Sequence, residues 1–183
     1  MDKNIKNTML VSPDAIKGTG ELDYNVDDVM IGSAIRTAQN VYLQDIIGST
    51  LLERIQELVY NAIVGSGESI DDEDKVMYKT LLDEYIENVL INKTMVEITT
   101  KVSFKIRNVG VAQNSEENIN ASSLANIKYI RNNYETLFCD SLNRMVEWLD
   151  ENKAAFPELE VCQCGKSKPN LKKRYANTNI YLG

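Results

Sequence analysis

Three cysteines are the residues of this sequence whose type and spacing most directly suggest chemistry. Cys162-x-Cys164, followed by Gly165-Lys166, resembles half of a zinc knuckle. Tetrahedral zinc needs four ligands, and Cys139 is the only other cysteine in the chain. A zinc site would therefore require two subunits that share the metal. We expect no bound metal, and we expect Cys139 to be a half-buried, small apolar residue of a packed helix.

The second candidate site is the acidic run at residues 71–74. Four consecutive carboxylates could bind a cation, but the glycine and the terminal glutamate of a calcium loop do not follow them at the required spacing. Acidic residues are also favoured at the positive end of a helix dipole, and Ser69 with Asp72 three residues later fits a helix cap. The run therefore indicates the start of a helix.

Histidine, the commonest general base and metal ligand, is absent from the sequence. Asp83, Glu84 and Glu87 therefore cannot join Glu-x-x-His pairs in a di-iron bundle, and they are most simply a solvated helix face. Gly65-x-Gly67 lies between two helix patterns, so it lacks the strand that precedes a phosphate-binding loop. We expect no cofactor and no enzymatic activity. A small enzyme whose carboxylates perform acid–base chemistry stays open as the third of our hypotheses.

The elements that would position these residues are mostly helical. From Met77, apolar residues recur at the spacing of one helical face: Met77, Leu81, Leu82, Tyr85, Ile86, Val89 and Leu90. After this central helix the period changes to two, which predicts a strand or an extended arm. Val102, Phe104 and Ile106 alternate there with polar residues, and Asn108 and Gly110 end the pattern.

Two helices are predicted before the central helix and one after it. The first begins near Val26, with Asn25 or Asp27 as its cap, and Gly48 ends it in a left-handed conformation. The second follows directly and ends at Gly65. The last begins at Ser122 or Ser123, extends for about seven turns and closes near Lys153.

At 183 residues and 43% hydrophobic content, the chain suits one domain with additional arms. We predict a mainly α fold: a bundle of about four helices with a short extended β-like segment. The predicted organisation is an N-terminal arm at 1–22, a helical domain at 23–156 and an extended basic tail at 157–183. No apolar run reaches membrane-spanning length, and the odd number of cysteines without a signal peptide favours a reducing compartment.

The charge is uneven along the chain. The net charge is −7, yet residues 157–183 contain five basic residues and two acidic ones, so the acidic excess lies in residues 1–156. An acidic body is atypical of a general nucleic-acid binder, which presents a basic face.

In this order, the elements resemble the head–tail connector or adaptor proteins of tailed bacteriophages. The resemblance rests on Ile46-Ile47-Gly48-Ser49-Thr50-Leu51-Leu52, Tyr85-Ile86 with Leu90, Ile106-Arg107-Asn108-Val109-Gly110-Val111, and Tyr134. It covers residues 27–152, and none of its motifs is a catalytic signature. The length of the tail and Cys162-x-Cys164 have no match in that family.

The resemblance implies a structural virion protein, made in the bacterial host cytoplasm. It implies a ring of about twelve copies beneath the portal, which extends the DNA channel and joins the capsid to the tail. The implied partners are the other copies, the portal protein, and tail or further connector proteins. DNA would pass through without specific binding, because an acidic body repels phosphate. No membrane partner is implied.

The extended segment is our predicted contact with a neighbouring subunit, since apolar residues and unpaired backbone groups suit pairing between chains. Its contact residues are Val102, Phe104, Ile106, Val109 and Val111. An intramolecular hairpin is an equally good interpretation of the same alternation.

The segment 165–183 is our predicted docking arm. It has basic residues for long-range attraction to an acidic neighbour and an apolar end for specific contact. These residues are Lys166, Lys168, Lys172, Lys173, Arg174, Tyr175, Ile180, Tyr181 and Leu182. We expect protein docking rather than DNA binding, because the body is not basic.

One alternative from another class stays open. A small helical regulatory or host-interaction protein could bind a partner protein through the same acidic face. The mass of the protein in solution separates the two hypotheses, because only the connector should form rings of many copies.

Overall fold

A computed structural model describes residues 3–19, 22, 25–107, 110–113, 124–160 and 168–171. Within these ranges the protein is mainly α-helical, as the sequence patterns predict. Two long helical segments and one further long helix form the body. A short β-hairpin joins that body at the end of the second segment.

The N-terminal residues pack on the body instead of extending away from it. They form α1 (Lys3–Lys6) and α2 (Pro13–Gly18), and Ile16 is completely buried. Two buried glutamines hold the backbone between these helices, because Gln39 and Gln56 each donate to the carbonyl of Thr8 at 3.1 Å. The predicted arm at 1–22 therefore differs from the structure over residues 3–19. Contacts between residues so far apart in sequence leave no local periodicity to detect.

The first long segment comprises α3 (Asp28–Thr37), a π-helical turn (Ala38–Leu43) and α4 (Gln44–Val64). Asp27, one of the two predicted caps, accepts the N–H of Val29 at 2.9 Å. α4 ends at Gly65, as predicted, and this residue has the left-handed conformation, with φ 72° and ψ 37°.

Gly48 bends α4 near its start. Its φ of 79° confirms the predicted positive φ, but its ψ of 161° places it in an extended region rather than the left-handed helical one. This region is essentially restricted to glycine. The chain therefore changes direction within α4, between a short helical stretch and a longer one, and both neighbours of Gly48, Ile47 and Ser49, are buried.

The second long segment comprises a 3-10 turn (Glu73–Lys75), α5 (Val76–Thr80), a π-helical turn (Leu81–Ile86) and α6 (Glu87–Ser103). The predicted pair Ser69 and Asp72 closes a turn in the loop before it rather than capping the helix, whose N-cap residue, Asp72, makes no side-chain cap hydrogen bond. The N–H of Ser69 donates to Oδ2 of Asp72 at 2.7 Å, and Oγ of Ser69 accepts the N–H of Asp71 at 3.2 Å.

The extended segment forms an intramolecular hairpin, one of the two interpretations of the alternation. β1 (Phe104–Arg107) pairs antiparallel with β2 (Gly110–Gln113), and Ile106 lies opposite Val111. Val102 belongs to the last turn of α6, so the extended geometry begins two residues later than predicted. Val109 lies outside the described residues. The main contacts of the hairpin are between its own strands and with α6.

The last long helix, α7 (Leu124–Glu151), packs along α6 in the antiparallel sense. The side-chain amide of Asn92, in α6, donates to the carbonyl of Leu137 in the middle of α7. The ring of Tyr85, in the π-helical turn before α6, stacks on that of Trp148 near the end of α7. The largest completely or almost completely buried side chains of the body are Phe138, Phe156, Ile16, Ile31, Ile35, Leu43, Ile46, Ile47, Leu51, Ile55, Leu58 and Leu81.

The body continues past the boundary predicted at residue 156. Two 3-10 turns, Lys153–Ala155 and Pro157–Leu159, follow α7, and Leu159 is buried. Further on, the N–H of Asn170 donates to the carbonyl of Ile46 at 2.8 Å, and Leu171 packs against the core. A helix that bends at Gly48 cannot keep every carbonyl of the preceding turn paired within the helix, so the backbone of Asn170 supplies a donor there.

Candidate functional site

A buried lysine lies at the contact between α6 and α7. The side chain of Lys93 is only 5% exposed, and its Nζ lies 3.1 and 3.2 Å from the two carboxylate oxygens of Glu135. The same nitrogen lies 4.0 Å from the ring centre of Tyr42 and 4.8 Å from that of Phe138. A buried ammonium is tolerated only with such partners, because leaving water costs it several kcal/mol.

The residues around this ion pair are held in their neutral forms. Burial, followed by the charge and hydrogen bond of Glu97 at 3.4 Å, raises the pKa of the Tyr42 hydroxyl. Burial and the nearby charge of Glu135 raise the pKa of the Cys139 thiol. A raised thiol pKa disfavours the reactive thiolate, which agrees with the packing role predicted for Cys139. The cluster therefore joins three helices and offers no activated nucleophile.

Beside this cluster, a polar groove runs along the surface between the second segment and α7. We call it the α6–α7 groove. It has a volume of about 390 Å³ and is lined by Glu84, Tyr85, Asn88, Asn92, Ser141 and Arg144. Glu84, Asn88 and Asn92 are spaced four residues apart, so they follow one side of the helix for about 12 Å. The groove therefore has the length of three or four residues of an extended peptide.

Some polar groups of the groove side chains form no hydrogen bond with the described residues. The amide nitrogen of Asn88 donates to the carbonyl of Glu84 at 2.9 Å, and that of Asn92 donates to Oγ of Ser141 at 3.4 Å. Within the described part of the chain, neither amide oxygen accepts a hydrogen bond, and Arg144 forms no ion pair. An asparagine amide offers both donor and acceptor groups, which match the hydrogen-bonding groups of a peptide backbone.

The rim of the groove is acidic. A second shallow hollow, lined by Asp140, Asn143, Arg144 and Glu147, meets the groove at Arg144. Together with Glu84, the carboxylates of Asp140 and Glu147 are exposed, and none of them forms an ion pair with another described residue. Three carboxylates around one guanidinium leave this surface negatively charged.

Beyond Asn92, the groove meets exposed apolar side chains of α7. Leu137 is 43% exposed and Ile130 is 44% exposed. These residues are two helical turns apart and share one side of α7 with Ser141 and Arg144. Exposed apolar side chains therefore continue the line of the polar groove along α7.

At its other end the groove is closed by an aromatic cluster. The rings of Tyr85 and Trp148 stack at 4.9 Å, and Trp148 and Tyr78 each meet Phe156 edge to face. Burial and a hydrogen bond to Glu158 raise the pKa of Tyr78 to about 12. These contacts fix the end of α7 against α5.

The acidic loop before α5 is fixed by ion pairs. Arg54 of α4 bonds to Glu57 at 3.1 Å and to Glu68, and its Nε lies 4.0 Å from Glu158. The hydrogen bond from Arg54 and the nearby positive charge of Lys75 lower the pKa of the Glu68 carboxyl. This arrangement connects α4, the loop and the residues after α7. The acidic run 71–74 leads into the 3-10 turn Glu73–Lys75, so it lies at a helix start, as predicted. No group of three or more potential metal-ligating side chains occurs among the described residues.

The structure places few of the predicted site residues together. Phe104, Ile106 and Val111 lie on the hairpin, whereas Val102 lies on α6. Of the predicted docking residues only Lys168 is described, and it is exposed. The remaining ones, at 166, 172–175 and 180–182, lie outside the described residues, as do Cys162 and Cys164.

Sequence reasoning missed the groove. The sequence predicts Glu84 on a solvated helix face, and it is exposed in the structure, but Asn88, Asn92 and Arg144 belong to no recognisable sequence motif. The polar asparagines four residues apart on the central helix were the available signal, but only the pairing of α6 with α7 brings Ser141 and Arg144 beside them. The burial of Lys93 could not be predicted either, since a lysine within a helix is usually exposed to solvent.

The fold defines a mainly α-helical domain with a polar groove on its surface. The sequence profile of the DUF6712 family, described as a family of unknown function, matches residues 43–169. This match covers more than half of the chain, so the protein belongs to that family. Comparison with curated proteins and with solved structures gave no match. None of the described helices combines the length and the apolarity that crossing a membrane requires.

Proposed function

We propose that this protein is a non-enzymatic head–tail connector of a tailed bacteriophage. In this role it forms a ring beneath the portal, extends the DNA channel and joins the capsid to the tail. The proposal rests on the resemblance in the order of elements, and the main supporting observation is the hairpin between α6 and α7. A two-stranded hairpin is only marginally stable alone, and its open edges can pair with another chain.

The charge distribution is compatible with a channel for DNA. The sequence carries 27 acidic and 20 basic residues, so phosphate is repelled rather than held. A ring of this kind lets DNA slide without specific contacts. The proposed partners are neighbouring copies, the portal protein and tail or further connector proteins, and the proposed location is the virion.

The test is the mass of the purified full chain in solution. Light scattering and negative-stain microscopy should show closed rings of many copies. A protein that stays monomeric at all concentrations, alone and with portal assemblies, would overturn the proposal.

The groove favours one alternative. A monomer that binds a peptide of a bacterial protein in the α6–α7 groove would fit a regulatory or host-interaction role, because the asparagines and exposed apolar residues suit an extended peptide. A monomeric mass together with peptide binding would favour this second function.

A further inference from the structure

We propose that the α6–α7 groove is the receptor for residues 172–183 of a neighbouring copy. This inference rests on the proposed ring and names the surfaces that would hold two of its copies together. The occupant is chosen from the chemistry of the groove, its rim and the segment itself.

Charge complementarity supports this occupant. Glu84, Asp140 and Glu147 are exposed around the groove and carry no ion pair among the described residues. Residues 172–174 are Lys-Lys-Arg, three consecutive cations. Opposite charges on two surfaces of one chain favour a head-to-tail contact between copies, and such contacts close into rings.

The order of chemistry along the segment also matches the groove. The basic triplet is followed by Tyr175 and Ala176, by the polar stretch 177–179 and then by Ile180-Tyr181-Leu182. The groove offers acids near Arg144, asparagine amides next to them, and exposed Leu137 and Ile130 beyond. The amides can bond to the backbone of the polar stretch, while the apolar residues can cover those of α7.

The position of the segment sets a condition on this contact. The backbone of Asn170 is held at the bend of α4, where it donates to the carbonyl of Ile46, and Leu171 packs against the core. The basic triplet follows Leu171 directly, so the acidic rim of the next copy must lie beside this bend. The twelve residues 172–183 can span about 40 Å when extended, which is enough to continue along the groove and past Leu137 and Ile130.

The experiment uses charge reversal in the full chain. One variant carries Glu84→Lys and Glu147→Lys, and another carries Lys172→Glu, Lys173→Glu and Arg174→Glu. Each should raise the concentration for half-assembly at least about tenfold, because like charges then face each other. A matched control, Asp14→Lys with Glu73→Lys, changes the same charge at exposed carboxylates outside the groove and should assemble as the wild type does. Circular dichroism should show equal helix content in all of them.

Mixing the two variants tests whether the contact is between copies. An equimolar mixture should assemble, because the reversed groove of one copy meets the reversed segment of the other. Assembly of the groove variant at the wild-type concentration would overturn the inference. A mixture that stays dissociated would also overturn it if a single chain carrying both sets of changes assembles, because that result shows that the segment docks in the groove of its own copy.

A failure of the proposed function can be distinguished from a failure of this contact, because in the first case the wild type itself does not assemble. In that case a fluorescent peptide of residues 172–183 is added to the wild type and to the groove variant. If the peptide binds the wild type but not the groove variant, the groove still recognises the segment. Equal binding of the peptide to both proteins would overturn the inference.

Discussion

The Nζ of Lys93 and the carboxylate of Glu135 form an ion pair at 3.1 Å in which the two partners are unequally buried. The lysine side chain is 5% exposed, whereas that of Glu135 is 33% exposed. The ammonium depends on the carboxylate for compensation, but the carboxylate retains access to water. Loss of the two partners should therefore have different consequences.

The first prediction compares these losses. Glu135→Leu should lower the free energy of unfolding by about 3 kcal/mol, because it leaves a buried ammonium without its counterion. Lys93→Met should cost less, about 1 kcal/mol, since a partly exposed carboxylate can be hydrated. The double variant should recover most of the loss. Urea denaturation of the four proteins measures this cycle, and equal costs for the two single changes would contradict it.

The helices could be predicted from the sequence because their signals are local. Apolar spacing, the cap at Asp27 and the glycines at 48 and 65 each act within one or two turns. The packing of residues 3–19 could not be predicted, because it depends on Gln39 and Gln56, which lie far along the chain. The two π-helical turns were also missed. One extra residue in a turn rotates the side chains that follow it, so Leu43 is buried whereas Val41, which regular helical spacing would bury, is 57% exposed.

The candidate site was less accessible to sequence reasoning. Its walls come from residues about fifty positions apart, such as Asn92 and Ser141, and no spacing rule relates them. The hairpin was predicted as one of two interpretations, because alternation shows an extended backbone but not which strand it pairs with.

The second prediction concerns the bend at Gly48. Gly48→Val should lower the free energy of unfolding by about 1 to 3 kcal/mol, because a side chain is strained at φ 79° and ψ 161°. Gly32→Ala is the matched control within α3, where an added Cβ would lie 3.8 Å from Sδ of Met9, an ordinary contact. This control should be neutral or stabilising by up to about 1 kcal/mol. Thermal unfolding measures both, and an unchanged midpoint for Gly48→Val would contradict the prediction.

The third prediction is a pH dependence from Tyr78. The pKa of its hydroxyl is about 12 in the folded protein, above the ordinary value near 10. The contribution of this hydroxyl to stability should be fully present below pH 10 and should be lost as the pH rises toward 12, because the unfolded chain releases the proton first.

Tyr78→Phe isolates this contribution. The ring contact with Phe156 is kept, whereas the hydrogen bond to Glu158 is lost, so the variant should be about 1 kcal/mol less stable at pH 7. The difference from the wild type should shrink between pH 10 and 12 in chemical denaturation. A difference that stays constant over this range would show that the hydroxyl does not titrate as stated.

The fourth prediction tests the hairpin as a contact between subunits. Phe104→Asp should abolish assembly while the helix content stays intact. Lys105→Asp is the control, because it introduces the same side chain at the neighbouring position of β1. Sedimentation and circular dichroism read the two properties separately. A loss of helix content together with assembly would show that Phe104 belongs to the core of the subunit itself.

The last prediction divides the tail into two parts with different roles. Deletion of residues 172–183 should leave the free energy of unfolding unchanged and should prevent incorporation into the particle. Deletion of residues 165–183 should have the same effect on incorporation, but it should also lower the free energy of unfolding by about 1 to 2 kcal/mol. The additional loss arises because the carbonyl of Ile46 then lacks the N–H of Asn170, and because the core loses the contact with Leu171. Urea denaturation and incorporation into particles measure the two effects on the same pair of variants. Equal stability of the two truncated proteins would show that Asn170 and Leu171 do not anchor the tail, and normal incorporation of either would show that the tail is not a docking arm.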